Sequence, residues 1–79
     1  MTELKNIRWG IAGTGAIARQ FAADIGHAKG AALAAVCSRD PERAEDFAHR
    51  HSGVTAFGSL GAMLASRSID AVYIATPNM

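Results

Sequence analysis

The sequence has one cysteine, Cys37, and no excess of charge of either sign. A single thiol excludes an internal disulfide framework, and its position among alanine and valine predicts a buried, unreactive side chain. The formal net charge of +1 does not favour nucleic acid or an anionic membrane as a partner. No apolar run approaches the ~20 residues that a membrane span needs. These absences favour a cytoplasmic protein without nucleic-acid or membrane partners.

The patterns of hydrolytic and metal-dependent catalysis are also missing. The seven acids show no pairing suited to acid/base chemistry, and no G-x-S-x-G nucleophile motif occurs. His49 and His51 lie two positions apart and diverge by about 200° on a helix, which is a poor geometry for sharing a metal ion. We therefore predict no metal site and no catalytic residue within these 79 residues.

A glycine-rich turn follows the first apolar run, Trp9–Ala12, which predicts a strand. The turn has the G-x-G-x-x-G/A pattern that opens a helix after a buried strand. Its first glycine permits a sharp turn, its second lets the backbone approach a pyrophosphate, and Ala18 allows close packing of helix on strand. The N–H groups of the first helical turn then face the phosphates. The residues predicted to bind the pyrophosphate are Gly13, Thr14, Gly15, Ala16 and Ile17.

Helical and extended patterns alternate along the rest of the chain. A helix is predicted from Ala16 to about Ile25, with a core-facing stripe of Ile17, Phe21 and Ile25 beside Ala18 and Ala22. Asp40 and Pro41 have the residue types of an N-cap and a first helical position, and Ser59 is the expected cap of a third helix. The predicted later strands are Ala31–Cys37, Val54–Phe57 and Ala71–Ala75.

This order, βαβαβαβ, predicts an α/β protein with a parallel sheet and helices on both faces. The strand order is expected to be 3-2-1-4, as in a NAD(P)-binding Rossmann fold, with the crevice between the first and fourth strands. The glycine turn now has the strand, helix and second strand that the dinucleotide-binding motif requires.

Three motifs in this order resemble one oxidoreductase family. They are R-W-G-I-A-G-T-G-A-I-A (Arg8–Ala18), C-S-R-D-P-E-R-A (Cys37–Ala44) and I-D-A-V-Y-I-A-T-P-N (Ile69–Asn78). Together they look like the glucose–fructose oxidoreductase / inositol dehydrogenase / rhizopine-catabolism family. The first two resemble especially its dihydrodiol dehydrogenase and anhydrofructose reductase branch. The resemblance covers essentially the whole chain.

The resemblance implies an NAD(P)-dependent oxidoreductase that acts on the CH–OH group of a sugar, polyol or related substrate. It also implies a longer protein, commonly oligomeric, in which a catalytic lysine and a substrate domain follow the motifs seen here. Residues 1–79 are then the N-terminal part of the Rossmann domain, inactive alone, and their fourth strand leaves an exposed apolar edge. The alternative is a non-catalytic NAD(P)-binding sensor or regulator of the same fold.

The end of the second strand bears on the choice of cofactor. An acid there accepts hydrogen bonds from the adenosine ribose and repels a 2′-phosphate, but the residue here is Ser38. Arg39 follows, and Arg43 lies in the first turn of the next helix, so two guanidinium groups are expected at the adenosine end. This set favours NADP(H). NAD(H) is the alternative if Asp40 turns towards the ribose instead of capping the helix.

The loop Thr76-Pro77-Asn78 follows the fourth strand at the carboxyl edge of the sheet. By resemblance, it passes beneath the ribose and phosphate on the nicotinamide side, and all three residues are predicted to bind cofactor. The simpler interpretation is that Pro77 only ends the strand.

Overall fold

The computed structural model describes residues 7–51 and 53–75. The elements are β1 (Ile7–Ala12), α1 (Ala16–Ile25), β2 (Ala31–Cys37), α2 (Pro41–His49), β3 (Thr55–Phe57), α3 (Leu60–Ala65) and β4 (Ala71–Ile74). The strands form one parallel sheet in the order β3-β2-β1-β4. The predicted α/β class, element order and strand order are confirmed. Within the described ranges no helix is long and apolar enough to cross a membrane.

Two helices begin at the caps that the sequence predicts. The Asp40 carboxylate accepts the N–H of Glu42 at 3.0 Å, and Pro41 occupies the first helical position of α2. The Ser59 hydroxyl likewise accepts the N–H of Ala62 at 3.0 Å at the start of α3. Each cap contributes about 1 kcal/mol to helix stability. These two caps define the residues at which α2 and α3 begin.

Neighbouring side chains of a strand point to opposite faces of the sheet, so each strand contributes to two layers of packing. Ile11 of β1 lies in one layer, with buried residues of α1 and α2, and Ala12 lies in the other. Met63 of α3 is the largest buried side chain of that second layer. Helices α1 and α2 therefore share a face, and the space between them opens beside the carboxyl ends of β1 and β2.

Gly10 determines how closely α3 approaches the sheet. A Cβ atom at this position would lie 2.8 Å from Cδ1 of Ile69 and 2.9 Å from Sδ of Met63. Both distances are shorter than van der Waals contact, so a side chain here would push aside the flexible ends of Met63 and Ile69. The sequence pattern indicated only an apolar strand at Gly10, and the packing requirement emerges from the tertiary structure.

The core-facing stripe of α1 differs from the prediction at one residue. Ala18, Ala22 and Ile25 are buried, whereas Ile17 is 63% exposed. The two alanines bring α1 close to the sheet, and Ile17 lies about 100° around the helix from Ala18. Helical spacing alone included Ile17 in the stripe, and that prediction is wrong.

An aromatic cluster joins α1 to two strands. The ring of Phe21 stacks on Tyr73 of β4 with centroids 4.2 Å apart, and it meets Trp9 of β1 edge-on at 5.4 Å. Contacts of this kind contribute about 0.5–1.5 kcal/mol beyond area burial. Trp9 and Tyr73 therefore serve the packing of α1 on the sheet.

The start of β4 is tied to β1 by Arg8 and Asp70. The guanidinium donates two hydrogen bonds to the Asp70 carboxylate, at 2.9 and 3.1 Å, and the Arg8 backbone N–H donates a third at 2.9 Å. The carboxylate raises the pKa of Arg8 through these bonds and its charge. The pair thus holds the start of β4 beside β1. At the other end of β4, Ile74 is 55% exposed at the edge of the described sheet.

Cys37 is expected to resist thiol reagents in the folded chain. It is 3% exposed, and burial raises the pKa of its thiol, so less reactive thiolate forms near neutral pH. Reaction with Ellman's reagent at pH 8 should be at least ~100-fold slower than in 6 M guanidinium chloride, because it requires local opening. Equal rates in the two conditions would contradict the buried position of the thiol.

Candidate functional site

The glycine turn is held at the carboxyl edge of the sheet, between the two strands that flank β1. The N–H of Gly13 donates to the carbonyl of Cys37 at 2.9 Å, and the N–H of Ala75 donates to the carbonyl of Ala12 at 2.8 Å. Gly13 has φ 120°, a conformation that side chains rarely adopt. The sharp turn predicted at Gly13 is therefore present, and it carries the chain directly to the start of α1.

The N-terminus of α1 is open. Gly15 is its N-cap, no side chain caps the helix among the described residues, and its first turn contains no acid. The first hydrogen bond of the helix runs from the N–H of Arg19 to the carbonyl of Gly15 at 3.0 Å. A Cβ atom on Gly15 would meet no atom of the described residues within 4 Å. The backbone donors and the positive end of the helix dipole thus face free space, an arrangement that suits an anion.

The carboxylate of Asp40 is engaged with its own helix. It caps α2, and its Oδ2 lies 3.7 Å from Nε of Arg43. The half-buried Ser38 supports this arrangement, because its hydroxyl accepts the N–H of Asp40 at 3.1 Å. Arg39 is exposed beside them. The end of β2 therefore presents a hydroxyl and an exposed guanidinium, while the carboxylate of Asp40 is occupied by the helix cap.

A cleft of about 670 Å³ separates α1 from α2, within the usual range for small-molecule sites. One wall is formed by Thr14, Gly15 and Arg19, and the opposite wall by residues of α2 and its cap, including Arg43. Three predicted site residues, Thr14, Gly15 and Arg43, thus line one cleft. Ser38 and Arg39 are not among its lining residues.

The charges in the cleft are balanced and mostly paired. Arginines and carboxylates line it in equal number, and Arg50 bonds Asp46 at 3.1 Å one turn away on α2. Arg43 lies near Asp40, as described above. Arg19 has no ion pair within the described ranges. The sequence motifs do not include Arg19, and its place one turn after Gly15 was the available signal.

Two further predictions concern the ends of the site. Ile17 lies in the first turn of α1 with its side chain exposed, so the structure leaves it accessible to a ligand. The loop Thr76-Pro77-Asn78 lies outside the described residues. Its assignment to the nicotinamide side of the cofactor stays a prediction.

Comparison with known proteins finds that the chain is similar to oxidoreductases. The model of an oxidoreductase family with an NAD-binding Rossmann fold matches residues 7–79. The chain is 44% identical over 72 residues to scyllo-inositol 2-dehydrogenase (NADP(+)) of Bacillus subtilis, covering 91% of this chain and 22% of that protein. It is 41% identical over 70 residues to D-xylose 1-dehydrogenase (NADP(+)) 2 of Haloferax volcanii, covering 89% and 22%.

A solved structure supports the same fold. Myo-inositol dehydrogenase from Lactobacillus casei, in complex with NAD(H) and myo-inositol, superposes with a TM-score of 0.82 at 27% identity. The match covers 90% of this chain and 22% of that one. The chain thus spans about a fifth of the length of the curated relatives and solved structure that it matches.

Proposed function

The chain belongs to the glucose–fructose oxidoreductase, inositol dehydrogenase and rhizopine-catabolism family of oxidoreductases, with an NAD-binding Rossmann fold, and on this premise we propose that it binds NADP(H). In the proposed activity, hydride passes between this cofactor and the CH–OH carbon of a sugar or polyol. Residues 1–79 serve as the first part of the cofactor-binding domain, and the groups that act on the substrate belong to other parts of the enzyme. The cofactor supplies the hydride chemistry, and the chain described here binds and orients it.

The open N-terminus of α1 is the observation that carries the proposal. The sharp turn at Gly13 presents a bare backbone at Gly15, and no side chain competes with a ligand for the helix donors among the described residues. A pyrophosphate supplies the matching charge and hydrogen-bond acceptors. We assign pyrophosphate binding to Gly13, Thr14, Gly15, Ala16 and Ile17.

The preference for NADP(H) rests on the adenosine end of the site. An acid free to bind the ribose would favour NAD(H), but the Asp40 carboxylate is engaged in capping α2. Ser38, Arg39 and Arg43 then provide a hydroxyl and two guanidinium groups for a 2′-phosphate. Two relatives, the inositol dehydrogenase of Bacillus subtilis and the xylose dehydrogenase of Haloferax volcanii, are NADP(+) enzymes, which supports this choice. On the nicotinamide side we assign binding to Thr76, Pro77 and Asn78.

Titration of the chain with reduced dinucleotides tests the proposal. Trp9 is the only tryptophan, so quenching of its emission by the dihydronicotinamide reports binding without a label. We expect saturable NADPH binding that is at least ~10-fold tighter than NADH binding, since one good charge-assisted contact gives that difference. The adenosine fragment 2′,5′-ADP should displace NADPH. Tighter binding of NADH would overturn the NADP(H) assignment, and no saturation with either dinucleotide would overturn the proposed function.

A further inference from the structure

The cleft between α1 and α2 has an arginine on each wall. Arg43 stands on α2, where the sequence predicts it, and Arg19 stands opposite on α1 beside the glycine turn. We propose that Arg19 contacts the 2′-phosphate of NADP(H) from the α1 wall and is a second determinant of cofactor preference. The inference rests on the proposed function, and it adds a binding residue outside the sequence motifs.

The backbone places the Arg19 side chain near the adenosine end of the site. Its N–H closes the first turn of α1 on Gly15, so Arg19 lies one turn of about 5.4 Å beyond the pyrophosphate donors. Side chains on a helix lean towards its N-terminus, here towards the mouth of the cleft. Arg19 therefore lines the cleft from the α1 wall, one turn from the pyrophosphate position and across from α2.

The ion pairs of the cleft leave Arg19 available. Arg50 is held by Asp46, and Arg43 lies 3.7 Å from Asp40. Arg19 has no carboxylate partner among the residues that the structure describes. A planar guanidinium with free N–H donors suits a phosphate, which it can bind with two parallel hydrogen bonds.

The charge balance makes Arg19 more important for NADP(H) than for NAD(H). The cleft has as many arginines as carboxylates, and Glu42 is one of those acids. Without Arg19 the carboxylates are in excess, and they oppose entry of a further phosphate. NADH lacks the 2′-phosphate, so its affinity depends much less on this charge.

The test compares Arg19→Gln with Lys29→Gln. Both variants remove one exposed cation and retain a polar side chain, but Lys29 lies in the turn after α1, outside the cleft. Arg19→Gln should weaken NADPH binding by about 10-fold or more, as expected for a lost charge-assisted contact, and change NADH binding by less than about 2-fold. Lys29→Gln should change either affinity by less than about 2-fold. Circular dichroism confirms that each variant remains folded.

The possible outcomes separate this inference from the proposed function. Arg19→Lys keeps the positive charge but cannot form two parallel hydrogen bonds to a phosphate. Its NADPH affinity should therefore lie between those of Arg19→Gln and the wild type. If Arg19→Gln weakens NADPH and NADH equally, or changes neither, Arg19 does not contact the 2′-phosphate and the inference is wrong while dinucleotide binding stands. If the wild-type chain binds neither dinucleotide, the proposed function fails and this inference fails with it.

Discussion

Replacement of Gly15 by alanine is expected to weaken NADPH binding by about 10- to 100-fold without lowering the stability of the chain appreciably. A methyl group there projects into the open space at the start of α1, where no described residue lies within 4 Å of it. The proposed pyrophosphate occupies that space, so the methyl group holds it away from the backbone donors. Loss of one or two charge-assisted hydrogen bonds accounts for the expected loss of affinity.

The stability of Gly15→Ala should remain within about 0.5 kcal/mol of wild type, because two small effects oppose each other. Alanine is a weaker N-cap than glycine, but it restricts the unfolded chain. Gly15 already has φ −79° and ψ −163°, an extended conformation open to any residue. Urea unfolding monitored by circular dichroism measures this quantity, and the NADPH titration measures the affinity.

Gly10→Ala is the matched variant with the opposite expected result. Its methyl group pushes aside the flexible ends of Met63 and Ile69, so the free energy of unfolding should fall by about 1 kcal/mol. The NADPH affinity of the folded fraction should stay within about 2-fold of wild type, since Gly10 faces α3 and not the cleft. A Gly15→Ala variant that unfolds more easily but binds NADPH normally would contradict the assignment of this glycine to the ligand.

The parts of the fold that the sequence predicts well are those specified by neighbouring residues. Asp40 with Pro41, and Ser59, specify helix starts through hydrogen bonds and backbone angles within a few residues. The order of strands and helices then restricts the topology, because parallel strands need crossover helices. The strand order itself came from the Rossmann fold that the glycine turn indicates, since the crossover rules alone allow other orders.

The features that the sequence does not reveal depend on contacts between distant segments. The restricted space at Gly10 comes from Met63 and Ile69, which lie far along the chain. Arg19 becomes a cleft residue only because α2 packs beside α1 on the same face of the sheet. Ile17 has the helical spacing of a core-facing residue, but the small residues of α1, and not Ile17, pack against the sheet. Periodicity identifies a helix more reliably than it identifies the residues that pack.

Ser38→Asp is expected to reverse the cofactor preference. The new carboxylate would lie at the end of β2, where it can bind the ribose hydroxyls of NADH and repel the 2′-phosphate of NADPH. Two unit charges about 4 Å apart interact by roughly 4 kcal/mol at an effective dielectric constant near 20, and salt reduces this value. We therefore expect NADPH to bind about 100-fold more weakly, with NADH binding unchanged or a few-fold tighter.

Ser38→Asn separates charge from shape in this experiment. Its side chain has nearly the size of aspartate and retains an oxygen that can accept the N–H of Asp40, as the Ser38 hydroxyl does at 3.1 Å. Without the negative charge, Ser38→Asn should keep NADPH as the tighter ligand. If both variants lose NADPH to the same extent, the half-buried position is limited by space, and repulsion is not the cause. If Ser38→Asp still prefers NADPH, the 2′-phosphate does not lie at the end of β2, and the adenosine end of the site must be placed away from Ser38.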